Sequence, residues 1–99
     1  MKVYGSGICP ECQAFKALME ERGFEVEYID MTESVMTMRE FLALRDHHEA
    51  FAPVREKGSI GIPAFVREDG EITLDTNTAL AWIGQAPMNS PFKCAGGCK

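Results

Sequence analysis

The chain has 99 residues, of which 45% are hydrophobic and 25% charged, and these values fit one domain with a single core. Fifteen acidic residues against ten basic ones give a formal net charge of -5, which argues against nucleic acid or an anionic membrane as a partner. No apolar run approaches the roughly 20 residues of a membrane span, and the first residues carry no secretory signal, so we expect a cytoplasmic protein.

The first thirty residues carry the pattern of a strand, a helix and a second strand. We expect a buried strand over residues 1–5, then a helix from Pro10 to about Arg22 with Gly23 as its C-cap. Residues 24–29 alternate between apolar and charged, which predicts a half-buried strand. A strand–helix–strand unit of this length places its two strands parallel.

The middle of the chain is predicted to be helical. Thr32 or Ser34 can cap a second helix. Along one side of that helix lie Val35, Met38, Phe41, Leu42 and Arg45. A third helical segment is expected from Glu49 to Lys57, ended by Gly58.

The last third predicts a hairpin and a final helix. Residues 62–66 and 71–74 read as strands joined by a turn at 68–70, and Thr76 or Asn77 can cap a helix that continues through Ile83. Residues 85–99 have turn composition and no periodicity. We therefore expect a domain over 1–84 and a flexible C-terminal tail over 85–99 that carries a second cysteine pair.

The strongest chemical signal is Cys9-Pro10-Glu11-Cys12, located where the first strand gives way to the first helix. A cysteine reacts as its thiolate, and the unpaired N–H groups at a helix N-terminus stabilise negative charge. Pro10 suits the first helical turn. Cys9 is expected at the exposed end of the helix, with Cys12 one turn deeper on the same face. The motif predicts a redox dithiol, in which Cys12 attacks a mixed disulfide formed on Cys9.

The order of elements, with this motif on the first strand-to-helix turn, resembles the glutaredoxin family over roughly residues 1–84. Tyr4 precedes Cys9 by the family's spacing, no tryptophan precedes Cys9, and Gly61-Ile62-Pro63 stands where that family has Thr-Val-Pro. The resemblance implies an α/β, thioredoxin-like (glutaredoxin-type) fold with a mixed four-stranded sheet flanked by helices. It also implies a thiol–disulfide oxidoreductase that acts on disulfide-containing proteins or low-molecular-weight thiol substrates.

The resemblance further implies a substrate groove. The Ile62–Pro63 bond would be cis, Pro63 would face Cys9, and the backbone of Ile62 would pair with the substrate disulfide. Thr76 and Asn77 would offer polar contacts to a ligand carboxylate. No metal or organic cofactor is implied. Glutathione is the expected reducing cosubstrate, with a thioredoxin-reductase-type partner as the other electron donor considered.

A second function stays open on the cysteines alone. Cys94 and Cys98 form a further pair, and four thiolates could hold zinc or an iron–sulfur cluster in a metal-binding or metal-sensing protein. The placement of Cys9 and Cys12 between a strand and a helix favours redox use of the first pair. Cys94 and Cys98 are then expected to form a reversible auxiliary disulfide, because two glycines lie between them.

Overall fold

The computed structural model describes residues 1–88 of the chain. Its elements in chain order are β1 Lys2–Gly5, α1 Pro10–Arg22, β2 Glu27–Asp30, α2 Val35–His47, a 3-10 turn Glu49–Phe51 continuing into α3 Ala52–Lys57, β3 Ala64–Val66, β4 Ile72–Thr73 and α4 Thr76–Trp82. The eight helices and strands expected from the sequence are all present in this order.

The four strands form one mixed sheet in the order β2-β1-β3-β4. β1 and β2 are parallel, as predicted, and the other two pairs are antiparallel. Gly5 at the end of β1 lies opposite Asp30 at the end of β2. Because the two strands are parallel, the segments that follow them emerge at the same edge of the sheet, and one of these segments leads to Cys9.

Helices cover both faces of this sheet. On the face that carries α1 and α4, the buried residues are Val3, Phe15, Met19, Phe65, Ala79 and Leu80. On the face that carries α2 and α3, they include Tyr4, Phe41, Phe51, Val54, Ala64 and Ile72. Val3 and Tyr4 point to opposite faces because successive residues of a strand alternate. The expectation of a mixed four-stranded sheet flanked by helices is therefore confirmed.

The beginning of α2 and the ends of α1 and α3 follow local sequence signals. Ser34, one of the two predicted caps, accepts a hydrogen bond from the N–H of Thr37 at 3.1 Å. Gly23 ends α1 and Gly58 ends α3, both in the left-handed backbone conformation that glycine adopts without steric cost (φ 66° and 70°).

Three predicted boundaries are wrong for reasons that the structure shows. β2 begins at Glu27, because the N–H of Phe24 bonds to Met19 O at 2.9 Å and closes the end of α1. β3 begins at Ala64 because the preceding Pro63 has no N–H for the ladder. The cap of α4 is Asp75, whose carboxylate accepts from the N–H of Thr78 at 2.9 Å.

The side of α2 that the sequence pattern picked out is exposed in most of its members. Val35, Met38 and Leu42 expose 72%, 38% and 37% of their surface, whereas Phe41 is fully buried. Leu44 packs against the same cluster as Phe41. The inward face of α2 is thus rotated away from Val35, Met38 and Leu42.

Candidate dithiol site

Cys9 is the N-cap of α1, with extended backbone angles (φ -100°, ψ 114°), and Pro10 opens the helix directly after it. The backbone N–H of Cys12 donates a hydrogen bond to Cys9 Sγ at 3.3 Å. The sulfur therefore takes the place that a serine or aspartate oxygen has at many helix starts. A sulfur that accepts from a helix N-terminus is in the arrangement that favours a thiolate.

Both cysteines are free thiols, and both are buried. Cys9 exposes only 3% of its surface and Cys12 none, so the expectation of an exposed Cys9 is wrong. The residues on either side of Cys9 are exposed, and Ile8 exposes 85% of its surface. The first thiol consequently lies directly beneath the molecular surface, and the second lies one helical turn further in.

Cys12 is held as a neutral thiol. Burial is the main cause that raises the pKa of Cys12, and its hydrogen bond to the Cys9 side chain raises the pKa further. The charge of Glu11 acts in the same direction as a smaller contribution. The surroundings of Cys12 therefore favour its protonated form.

A carboxylate from β2 holds the segment that leads to Cys9. Asp30 accepts hydrogen bonds from the N–H of Gly7 at 3.1 Å and from the N–H of Thr32 at 2.8 Å. The hydroxyl of Thr32 lies 2.8 Å from that of the fully buried Ser6, and Ser6 Oγ accepts from the N–H of Ile8 at 3.2 Å. Sequence reasoning missed this network. The Asp-x-Thr segment that begins at the last residue of a parallel strand was the available signal.

The Ile62–Pro63 peptide bond is cis, as expected. Ile62 belongs to the same buried cluster as Cys9 and Cys12, and Pro63 is fully buried. Gly61 precedes them with φ 94°, and a side chain there would meet the ring of Phe51 at 2.9 Å. The structure thus brings the dithiol and Ile62 into one cluster. The expectation that Pro63 faces Cys9 stays a prediction.

The loop before Gly61 is anchored by Arg45 of α2. Its Nε donates to the carbonyl of Ser59 at 3.2 Å and to that of Ile60 at 3.0 Å. Arg55 in turn donates to the carbonyl of Arg45 at 2.7 Å. Arg45 therefore links α2 to the chain that enters the Ile62–Pro63 segment, a role that the sequence did not reveal.

Thr76 and Asn77 lie at the first turn of α4, and their polar atoms are placed differently. Thr76 Oγ1 is buried without a hydrogen-bond partner among residues 1–88. The side-chain oxygen of Asn77 accepts from the N–H of Met88 at 2.9 Å. Arg22 also reaches this C-terminal segment, donating to the carbonyl of Ala86 at 2.8 Å. Contact of Thr76 or Asn77 with a ligand stays a prediction, as does the domain boundary at residue 84.

Cys94 and Cys98, the predicted auxiliary pair, lie outside the described residues. Within residues 1–88 no group of three or more His, Cys, Asp or Glu side chains is arranged to hold a metal ion. A four-cysteine metal site would need the second pair, so that alternative stays a hypothesis. No helix in the same part of the chain is long and apolar enough to cross a membrane.

The fold and the site together define a mixed α/β protein with a dithiol at the start of its first helix. No protein-family model matches the chain, and no solved structure does. The chain is 28% identical over 67 residues to a Haemophilus influenzae protein that is named only as uncharacterized. The aligned residues cover 68% of this chain and 78% of that protein. The similarity assigns no activity.

Proposed function

We propose that this protein is a thiol–disulfide oxidoreductase of the glutaredoxin type, with a thioredoxin-like fold. The observation that carries the proposal is the pairing of Cys9 Sγ with the N–H of Cys12 at the start of α1, above a buried second thiol. Cys9 provides the nucleophile at the helix N-terminus. Cys12 stays protonated during this first attack and reacts only in the second step, when it attacks the mixed disulfide on Cys9.

The proposed reaction has two exchange steps. The thiolate of Cys9 attacks one sulfur of a disulfide R–S–S–R′, forms the Cys9–S–S–R bond and releases R′–S⁻, which takes a proton from solvent. The Cys12 sulfur, having lost its proton, then attacks Cys9 Sγ, and the electron pair of the broken bond leaves with R–S⁻. The substrate is reduced by two electrons and Cys9–Cys12 becomes a disulfide.

The surroundings of the dithiol support this assignment of roles. Asp30 fixes Gly7, two residues before Cys9, and Arg45 fixes the loop that leads into Ile62 and Pro63. Both anchors act on segments that pass through or beside the cluster containing the thiols. Residues held in this way keep the geometry of a reactive centre between turnovers.

The expected substrates are disulfide-containing proteins or low-molecular-weight disulfides, and the expected setting is the cytoplasm, where thiols are kept reduced. Glutathione is the proposed electron donor, and a thioredoxin-reductase-type enzyme is the other donor to be compared. Ile62 and Pro63 are proposed to shape the substrate groove, with Thr76 and Asn77 beside it. Cys94 and Cys98 are proposed as an auxiliary redox pair.

The test is reduction of bis(2-hydroxyethyl) disulfide by the purified full chain, with glutathione and glutathione reductase in one arm and thioredoxin reductase in the other. Cys9→Ser should reduce the rate to background. Cys12→Ser should accumulate a mixed disulfide that mass spectrometry detects on Cys9. Alkylation at pH 6 should label Cys9 before Cys12.

Two results would overturn the proposal. One is stoichiometric zinc or an iron–sulfur chromophore in the purified protein, with all four cysteines blocked to thiol labelling, because that result supports the metal-binding alternative. The other is Cys12 reacting first at pH 6. Circular dichroism of each variant checks that a lost activity is not a lost fold.

A further inference from the structure

Tyr28 of β2 brings a phenol hydroxyl to the buried thiol. Its ring lies beneath Lys16, whose Nζ is 5.3 Å from the ring centroid, and its strand position is opposite Val3. A side chain on Gly5 would overlap the Tyr28 hydroxyl and would stand 3.1 Å from Cys12 Cβ. The space left by Gly5 is therefore shared by the Tyr28 hydroxyl and the side chain of Cys12.

The Tyr28 hydroxyl is buried and makes no hydrogen bond of good geometry in the part of the chain that the structure describes. The Cys12 side chain nevertheless lies near enough to act weakly on it as a hydrogen-bonding neighbour. Most buried hydroxyls are hydrogen-bonded, and leaving one unpaired costs stability, so the exception calls for an explanation. A phenylalanine would fill the same space without that cost. A hydroxyl in this place could instead stabilise the Cys12 sulfur when that sulfur becomes negatively charged during a reaction.

The charged and titratable groups around this hydroxyl make it a donor and not a base. Burial raises the pKa of Tyr28, and the charges of Cys12, Asp30 and Cys9 raise the pKa further, with a smaller hydrogen-bond contribution from the Cys12 side chain. Lys16 covers the face of the ring, and Glu11 acts on Cys12 from α1. The phenol consequently keeps its proton throughout the neutral pH range and can donate it in a hydrogen bond.

We propose that the Tyr28 hydroxyl donates a hydrogen bond to the Cys12 sulfur as this sulfur becomes a thiolate and attacks the mixed disulfide. The inference rests on the proposed function and concerns only its second step. In that step Cys12–SH and Cys9–S–S–R give the Cys9–Cys12 disulfide and R–SH. The proton of Cys12 passes through solvent to the leaving thiolate, and Tyr28 keeps its own proton throughout.

The experiment is stopped-flow reaction of the reduced protein with 5,5′-dithiobis(2-nitrobenzoate). The full-length chain carries Cys94→Ser and Cys98→Ser, so that only the first pair reports. Attack by Cys9 releases one thionitrobenzoate, and resolution by Cys12 releases the second. Tyr28→Phe should slow the second release roughly tenfold, the loss expected for a hydrogen bond to a charged group, and should leave the first within about twofold.

The pH dependence and a matched variant separate this role from a structural one. In Tyr28→Phe the pH midpoint of the second release should rise, because the Cys12 thiolate has lost a donor. Tyr4→Phe removes the protein's other tyrosine hydroxyl, which donates to Glu40 at 2.8 Å, and should change neither release. The melting temperature of Tyr28→Phe should not fall, since the hydroxyl that it removes makes no hydrogen bond of good geometry in the described structure.

Failure of the inference and failure of the proposed function give different results. Two normal releases with the same second rate and midpoint in Tyr28→Phe overturn the role of Tyr28 alone. Equal slowing of both releases, with a lower melting temperature, also overturns it, because it indicates a packing role. Absence of a second, concentration-independent release in the parent protein overturns the dithiol mechanism itself.

Discussion

Gly5→Ala is expected to destabilise the protein through the space beside the second thiol. The new methyl group would overlap the Tyr28 hydroxyl, stand 2.9 Å from the Tyr28 ring carbon that bears it and 3.1 Å from Cys12 Cβ. Gly5 does not have a positive φ, so alanine brings no backbone strain and would otherwise stabilise the strand by about 0.5–1 kcal/mol. Overpacking a core costs about 1–3 kcal/mol.

Taken at the middle of both ranges, the net loss is about 1 kcal/mol, which lowers the melting temperature of a domain of this size by about 4–8 °C. Thermal and urea unfolding followed by circular dichroism measure it. Gly7→Ala is the matched control, since its new methyl group meets only Asp30 at 3.4 Å, and its effect should stay within about 0.5 kcal/mol.

A double variant tests whether the cause is the contact with Tyr28. Gly5→Ala combined with Tyr28→Phe removes the overlapping hydroxyl, so part of the loss should be recovered, and the two changes should not be additive. The reasoning is refuted if Gly5→Ala is as stable as the parent protein, or if Gly7→Ala loses as much stability as Gly5→Ala.

Three further variants test the supports of the site and of the last helix. Asp30→Asn should be less stable than the parent at pH 7, and the difference should close below about pH 4. The hydroxyl of Thr32 and further hydrogen bonds lower the pKa of Asp30, so its stabilisation is lost as the carboxylate is protonated. Urea titrations at pH 7 and pH 3 measure the two differences. Arg45→Lys should cost about 1–2 kcal/mol of unfolding free energy, since an ammonium group cannot keep the fork of bonds to two carbonyls, whereas Arg39→Lys on the exposed side of the same helix should be neutral. Asp75→Ala should cost about 1 kcal/mol as the loss of a helix cap, and Thr76→Ala should not; equal losses in thermal unfolding would contradict the assignment of the cap.

The sequence by itself determined the features that depend on a few neighbouring residues. Gly23 and Gly58 end helices because glycine tolerates the left-handed conformation, and Ser34 caps a helix because its oxygen reaches an N–H three residues on. Cys9 caps α1 in the same way, because its sulfur accepts from the N–H of Cys12, and Pro10 suits the first helical position. These interactions close within one helical turn, so a short stretch of sequence contains all that they need.

Strand boundaries and helix faces were predicted less well, because they depend on partners distant in the chain. The alternating pattern of residues 24–29 predicted a strand start that is three residues too early, because the N–H of Phe24 bonds to the carbonyl of Met19 at the end of α1. The pattern placed Val35 and Leu42 on one side of α2 with Phe41, yet Val35 and Leu42 are exposed, and Phe41 and Leu44 pack into the cluster that contains Tyr4 of the sheet. Periodicity identifies an amphipathic helix but does not fix its rotation against the rest of the protein.

Only the tertiary structure decided the environment of the two thiols. Cys9 looked exposed from its place at a helix start, and packing of the surrounding elements leaves it 3% exposed. Asp30 reaches the segment before Cys9 because two parallel strands end at one edge of the sheet, and Tyr28 reaches Cys12 because Gly5 has no side chain. Burial and long-range hydrogen bonds depend on which segments of the chain meet in space. The local pattern of residues in the sequence does not determine which distant segments pair with each other.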